Sequence, residues 1–334
     1  MTFSALLVRR DDPERAPSCA VEPLEPSQLP EGAVEIDVTH SSLNYKDALI
    51  LAGHPGLVQT YPHVPGIDLA GTVRSSTDPD VAVGDSVLVT GCWLGERHWG
   101  GMAERARVPA DWVVQRPAGM DAHRAMALGT AGFTAQLAVD AFAAQGVTPG
   151  ERPVLVTGAS GGVGTLAVLL LAAAGHEVEA STGSDRDPAI AALLTELGAA
   201  RLLPRAAVSN ASHRPLASAR WAGVVDVAGG STLAGALAQT RPNGVVVACG
   251  LAEDTALATT VMPFIVRGVR LVGIDSVHFP VARRPGVWQR LHAGVAPALL
   301  DRLTTTIGLA GVAPRAAALL AGGAPGRTVI DVAR

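Results

Sequence analysis

One lysine, Lys46, serves a chain of 334 residues whose other 25 lysine-or-arginine positions are all arginine. Tyrosine is almost as scarce, with two copies, one of them Tyr45 beside that lysine. Aromatic residues make up only 4% of the chain. The three cysteines (Cys19, Cys92, Cys249) are far apart and odd in number. No CxxC pair or Cys/His spacing suggests a zinc site or a disulfide framework, and a reduced, cytoplasmic protein is the expectation. A net charge of −4 and an isoelectric point near 6.1 lack the basic stripe of a nucleic-acid binder, so no nucleic-acid partner is expected. The opening MTFSALLVRRDDPER has too short an apolar run for a secretory leader. The strongest apolar stretch, GTLAVLLLAAAGHEVEA, is shorter than the ~20 residues of a membrane span. No membrane partner is expected.

What is abundant is apolar: 48% of the chain, with 37 glycines, which suits a large core. The length allows about two domains. Over residues 1–124 the segments AVEIDVTHSSL, GIDLAGTVRSS, GDSVLVTGCW and MAERARVPADWVV read as short strands separated by Gly, Pro and Asp turns. Together they predict a small, partly closed β-barrel. Near Ala125 the character changes. AMALGTAGFTAQLAVDAFAAQG reads as helix, and from RPVLVTG to VRLVGIDSV apolar strands alternate with helices. That alternation predicts a doubly wound parallel sheet over 125–294. The tail, 295–334, returns to strand–helix–strand segments and is expected to complete the first domain.

VLVTGASGGVGTLAVLLLAAAG is the most informative stretch. A buried strand ends at Val156–Thr157, Gly158, Gly161, Gly162 and Gly164 crowd the turn, and a helix follows at once. Such glycines let a diphosphate approach the peptide N–H groups at the positive end of the helix. The spacing departs from GxGxxG, so the strand-to-helix setting carries the assignment. The next strand, EVEAST, ends in Thr182–Gly183–Ser184, with Arg186 close by and Arg201 after the following helix. Hydroxyls with a guanidinium suit a 2′-phosphate and favour NADPH. Glu179, inside that strand, would favour NADH only if it faced the ribose.

This layout resembles the medium-chain dehydrogenase/reductase superfamily. The blocks SSLNYKDALILAG, PGIDLAGTV, GERHWGGMAERARV, GTAGFTA, VTGASGGVG, ACGLA, TTVMPFI and VRLVGIDSV are similar to its zinc-free quinone-oxidoreductase-like group of the YhdH type. The group includes NADPH-dependent acryloyl-CoA reductases, and the resemblance covers nearly the whole chain. It implies an α/β protein with a GroES-like β-rich catalytic domain and a Rossmann domain, acting as a homodimer. Zinc-dependent relatives carry Gly-His-Glu where this chain has Gly66–Ile67–Asp68, so no metal is expected. The resemblance places Tyr45 against the nicotinamide, Ser160, Gly161, Gly162 and Val163 at the diphosphate, and Ser181, Thr182 and Gly183 near the adenosine phosphate. It places Arg201 after the LGA turn, and Leu251, Ile265 and Ser276 in segments flanking the nicotinamide. Close relatives read Ser-Gly-Arg at Thr182–Gly183–Ser184, so one phosphate-binding arginine is missing here; Arg186 is the candidate replacement.

The implied reaction is hydride transfer to the β-carbon of a short 2-enoyl-CoA such as acryloyl-CoA, the cofactor carrying the chemistry. Tyr45, Lys46 and Asp68 are the candidate catalytic residues. Against each stands a plainer role: a packing wall for Tyr45 and an ion pair, with Asp47 or Asp68, for Lys46. Asn44 could cap a turn or hold a cofactor amide. Trp93 and Trp99 could cover a substrate or fill the core, and Arg97, Arg283 and Arg284 could meet coenzyme A phosphates or face solvent. The competing functions are an NADPH-dependent quinone or alkenal/enone reductase, and a cofactor-binding protein without turnover. The last strand, VRLVGIDSV, presents an edge that pairing with a second copy would cover.

Overall fold

The computed structural model describes residues 1–12 and 14–334. The chain begins with β1 (Phe3–Arg9), β2 (Ser18–Leu24), β3 (Val34–Leu43), α1 (Tyr45–Leu51) and β4 (Asp68–Ser76). It continues with β5 (Ser86–Thr90), β6 (Arg105–Val108), β7 (Val114–Gln115) and α2 (Ala122–Ala144). The alternating part is β8 (Val154–Val156), α3 (Gly162–Ala173), β9 (Val178–Thr182), α4 (Pro188–Glu196), β10 (Ala199–Pro204) and α5 (Ala206–Ser209). Then come β11 (Trp221–Asp226), α6 (Gly230–Gln239), β12 (Thr240–Ala248), α7 (Met262–Arg267) and β13 (Arg270–Gly273). The end of the chain forms α8 (Arg284–Gly294), α9 (Pro297–Arg302), β14 (Thr304–Gly308), α10 (Val312–Leu320) and β15 (Arg327–Asp331).

Two compact units divide these elements: Met1–Thr130 with Ser276–Ala293 and Leu303–Arg334, and Ala131–Asp275 with Gly294–Arg302. In the first, β3 is the organising strand. Its alternation buries Val34, Ile36 and Val38, which pack with Leu69, Val73, Val87 and Val89 of the neighbouring strands. β3 pairs antiparallel with β4 on one edge, while β6 and β15 share the other. The returning tail therefore enters the sheet as β15, with β14 parallel beside it.

The units differ from the boundaries 1–124, 125–294 and 295–334 mainly in one segment. Ser276–Ala293 packs with the first unit, because Arg284 is buried there. Its guanidinium donates to the carbonyls of Thr90 at 2.7 Å, Ser276 at 2.9 Å, Val277 at 3.0 Å and Phe279 at 3.2 Å. A surface role for Arg284 is thereby excluded; composition could not show this because arginine is seldom buried.

The second unit is a six-stranded sheet in the order β10-β9-β8-β11-β12-β13, every pair parallel. The strands are buried on both faces, which explains their continuous apolar runs. Strand order reverses at β8, and in such sheets ligands bind in the crevice at the carboxyl ends beside that reversal.

Gly129 marks where α2 breaks, with φ 52° and ψ −157° inside an otherwise helical segment. A Cβ here would lie 2.5 Å from Asp68 Oδ2, 2.9 Å from Arg327 Nη2 and 3.0 Å from Ser42 Oγ. Both the dihedral and the crowding demand glycine. Gly129→Ala is expected to cost on the order of 2–4 kcal/mol, measured as a lower urea midpoint at unchanged slope. A midpoint equal to that of the parent would contradict this account.

Candidate functional site

The carboxyl end of β8 runs into Gly158 (φ 56°) and then α3, whose start at Gly161 has no side-chain cap. Gly164 packs so closely that a Cβ would sit 2.3 Å from the Gly158 carbonyl oxygen. Beneath the turn, Thr157 Oγ1 donates to Asp226 Oδ1 at 2.7 Å and accepts from Val227 N at 3.1 Å, while Gly229 N donates to Asp226 Oδ2 at 2.7 Å. Burial pushes the Asp226 carboxyl up to about 6, with these hydrogen bonds working against it. The link fixes the ends of β8 and β11 relative to each other. The second crossover helix starts differently. Glu253 accepts from Ser231 N at 3.0 Å and from the hydroxyls of Ser231 and Thr232, both at 2.5 Å, at the beginning of α6. Burial alone would raise Glu253; the bonds from Ser231 and Thr232, with Arg205 nearby, outweigh it and hold the carboxyl below its ordinary range. The chain's own carboxylate thus occupies the start of α6, and the start of α3 is left for an external anion.

Beside this turn lies a cleft lined by Gly158, Ser181, Thr182, Gly183, Arg205 and Glu253 among others. The Ser181 hydroxyl is buried without a hydrogen-bond partner, as expected of a group that awaits one. Ser160 Oγ and Thr182 Oγ1 are 2.9 Å apart, and Ser184 N donates to Thr182 Oγ1 at 3.1 Å. These features fit a dinucleotide: a glycine approach for the diphosphate, an uncapped helix start, and hydroxyls with a cation at the second strand's end.

The arginines are placed differently from the sequence-based expectation. Arg201 stands opposite Glu179 in the sheet, 3.7 Å from its carboxylate. Arg186 is exposed in the turn after β9 and is not part of the cleft lining. Arg205 is the arginine in the cleft; a Cβ on Gly183 would be 3.0 Å from its Nη2. Glu179 accepts from Trp221 Nε1 at 2.7 Å and from Arg220 at 3.2 Å. With its acceptors engaged inside the sheet, Glu179 offers no ribose grip.

In the first unit, Asn44 caps α1, exchanging hydrogen bonds with Asp47, and Tyr45 follows it, 39% exposed. Asp68 is fully buried. Its Oδ2 accepts from Ser42 Oγ at 2.6 Å, Asn44 Nδ2 at 2.9 Å and Thr130 N at 2.9 Å, and its Oδ1 accepts from Thr130 Oγ1 at 2.5 Å. Arg327, also buried, donates to Asn44 Oδ1 at 3.1 Å and to the Ala127 carbonyl at 2.8 Å. Burial lowers the Arg327 guanidinium, opposed by Asp68 and Asp47. Asp47 accepts from the backbone N–H groups of Asn44, Gly66 and Ile67, and burial still pushes it up to about 7. Lys46 pairs with Glu96 at 2.9 Å, not with Asp47 or Asp68. Of the two roles open to Asn44, the structure shows the cap; Glu96, Arg205 and Arg327 are polar residues here that the sequence did not mark as sites, and each is placed by residues distant in the chain.

Leu251 and Ile265 are 53% and 72% exposed, in the loop after β12 and on α7, and Ser276 belongs to the segment held by Arg284. Among the described residues no group of three or more His, Cys, Asp or Glu side chains is placed to hold a metal ion. Among the described residues no helix is long and apolar enough to cross a membrane.

Residues 30–118 match the family model for the alcohol dehydrogenase GroES-like domain, and residues 162–293 match that for zinc-binding dehydrogenase. The acrylyl-CoA reductase AcuI of Ruegeria pomeroyi is 46% identical over 330 residues, 99% of each chain. A crystal structure of the yhdH oxidoreductase from Salmonella enterica in complex with NADP superposes with a TM-score of 0.94, at 46% identity over 98% of this chain and 99% of that one. Bacillus subtilis yhfP, described as a putative quinone oxidoreductase, has a structure with NAD bound. It superposes with a TM-score of 0.93, at 38% identity over 99% of this chain and 100% of that one. With a GroES-like unit, a parallel dinucleotide-binding sheet and full-length identity of this order, the chain belongs to the medium-chain dehydrogenase/reductase superfamily, in its zinc-free quinone-oxidoreductase-like acrylyl-CoA reductase family.

Proposed function

We propose that this protein is an NADPH-dependent reductase of the carbon–carbon double bond of short 2-enoyl-CoA esters, acryloyl-CoA first among them. The observation that carries the reading is the cleft beside the uncapped start of α3, where Ser181, Thr182 and Arg205 converge, in a chain matching an acrylyl-CoA reductase from end to end. When bound, the reduced nicotinamide supplies the hydride that reaches the β-carbon. The backbone of Ser160, Gly161, Gly162 and Val163 holds the diphosphate. Ser181, Thr182 and Gly183 frame the adenosine phosphate, which Arg205 pairs through charge-assisted hydrogen bonds. Tyr45 is the candidate wall for the nicotinamide, and Leu251, Ile265 and Ser276 are the further candidates to contact it. Asp68, saturated with donors, acts by fixing Asn44 and the start of α1. The exposed charge of Arg186 and Arg201 acts at longer range.

A second reading, reduction of quinones or enones, draws support from the description of the Bacillus subtilis relative. A panel of acryloyl-CoA, an enone and a quinone, each assayed with NADPH and NADH, separates the two. Fastest loss of NADPH absorbance with acryloyl-CoA is expected; turnover of quinone alone would replace the first reading by the second. Arg205→Ala is expected to raise KM for NADPH by about 10–100-fold and to leave KM for NADH unchanged, the size of a lost hydrogen bond to a charged group.

Lys46 is read as structural, because Glu96 is buried and Lys46 is its ion-pair partner. Lys46→Met should lower stability by about 3 kcal/mol by leaving that carboxylate unpaired. Lys46→Arg should recover most of this, and turnover with it. A stable Lys46→Arg enzyme without turnover would assign the ammonium to the chemistry instead.

We also infer a homodimer. β13 is an edge strand, and Val261, Met262, Ile265, Val266 and Leu271 expose apolar surface on α7 and β13. Sedimentation at micromolar concentration should give the mass of two chains, and Leu271→Arg should shift it toward one. A cytoplasmic location is the companion reading, supported by three unpaired cysteines and by a reduced dinucleotide as co-substrate.

A further inference from the structure

Outside the dinucleotide cleft, the first unit carries a run of stacked rings and cations that the reaction described above does not use. It is built on a strained loop. Gly91 (φ 71°), Cys92 (φ 53°), Trp93 (φ 64°) and Gly95 (φ 71°) are all left-handed, two of them despite carrying side chains. Such residues persist only where the surroundings over-determine them, and they concentrate at ligand clamps. The surroundings here are specific. Buried Arg284 ties Thr90 to Ser276 and Val277, and Cys92 N donates to the Val277 carbonyl at 3.3 Å. Glu96 is held through Lys46.

The strain displays Trp93. The Arg97 guanidinium stacks over its ring at 4.1 Å, and the His278 ring meets it edge-on at 5.0 Å. The next residue, Phe279, carries the Arg283 guanidinium 5.0 Å over its own ring. Arg97 and Arg283 are exposed, and neither has a carboxylate partner among the described residues. Each ring holds a guanidinium over its face and limits where the cation can go, while its N–H groups stay unspent. That is the arrangement that suits phosphate.

We propose that this surface is the subsite for the 3′-phospho-ADP end of coenzyme A esters, with Arg97 and Arg283 binding phosphates and Trp93 and Phe279 holding the two guanidinium groups. The inference rests on the enoyl-CoA reading and deepens it. An acryloyl group is too small to supply much affinity itself, so binding energy must come from remote parts of the substrate. On a coenzyme A ester those parts are the pantetheine arm and a nucleotide rich in negative charge.

The test compares acryloyl-CoA with acryloyl-pantetheine, which has the same reactive end and no nucleotide. In the Arg97→Ala/Arg283→Ala double variant, the ratio of KM for acryloyl-CoA to KM for acryloyl-pantetheine is expected to rise at least about tenfold, the size of one charge-assisted hydrogen bond. The parent's preference should shrink with added salt. A ratio within twofold of the parent's overturns the proposal, and so does an equal loss on both substrates. Should the double variant not fold, calorimetric titration of adenosine 3′,5′-bisphosphate into the NADPH-loaded parent and each single variant decides. Binding weakened about tenfold by each substitution supports the subsite; equal binding, or none to the parent, sinks it. Failure of the enoyl-CoA reading is separately visible, because the parent would then turn over neither thioester while the titration still reads the surface.

Discussion

The start of α3 is a bundle of N–H groups with no side chain to accept from them, and the rest of the second unit is arranged around keeping it so. Gly164 lets the helix sit against the turn, and Gly158 lets the strand enter it in a left-handed conformation. The bonds between Thr157 and Asp226 fix the base from below. The contrast with α6 shows what is at stake. There Glu253 brings its own carboxylate to the helix start, so two helices that leave the same edge of the sheet differ in the charge they present to a ligand. An anion arriving at this edge meets one positive terminus and one already neutralised. The discrimination is electrostatic and is settled before any ligand arrives.

The first unit solves a different problem, that of holding buried charge. Arg327, Asp47 and Asp68 are withdrawn from water together, and each removal is expensive on its own. The cost is offset by nearly complete hydrogen bonding: four donors on Asp68, three backbone N–H groups on Asp47, and two carbonyls and an amide oxygen on Arg327. A network so fully satisfied has few alternative arrangements, which makes it a suitable base for α1. Tyr45, the residue after the cap, inherits its position from this base. Glycine at 129 follows from the same crowding, since any Cβ would enter the space that Asp68 and Arg327 share.

Much of this architecture is legible in the sequence because periodicity and glycine punctuation are local signals. AVEIDVTHSSL alternates and becomes β3; RPVLVTG is continuously apolar and contributes the doubly buried β8; the tail GRTVIDVAR returns to the first sheet as β15. Polar partnerships are another matter. Lys46 and Glu96 are 50 residues apart, and Asn44 and Arg327 are 283 apart. No spacing rule announces either pair, so Lys46 invites an assignment to Asp47 from proximity in the chain and to Asp68 from the family resemblance. Arg284 shows the same limit. Three arginines at 97, 283 and 284 look equivalent as letters, yet one is buried among carbonyls while the other two hold their cations over aromatic rings.

The arginine at the adenosine phosphate shows how a register converts one kind of information into the other. Arg186 is the natural candidate from the sequence because it is two residues from Ser184, where the family resemblance implies an arginine. Nearness along a turn, however, does not determine where a side chain points. In the parallel pair β9–β10, Leu203 lies opposite Ser181 and Pro204 opposite Thr182. Just past the paired ends of the two strands, the Arg205 guanidinium lies beside Gly183, whose missing side chain leaves room for it. The same register sets Arg201 opposite Glu179, whose carboxylate accepts from Trp221 Nε1 and Arg220. On the reading proposed above, the sheet withdraws the acid that would favour NADH and sets beside Gly183 the arginine that would favour NADPH.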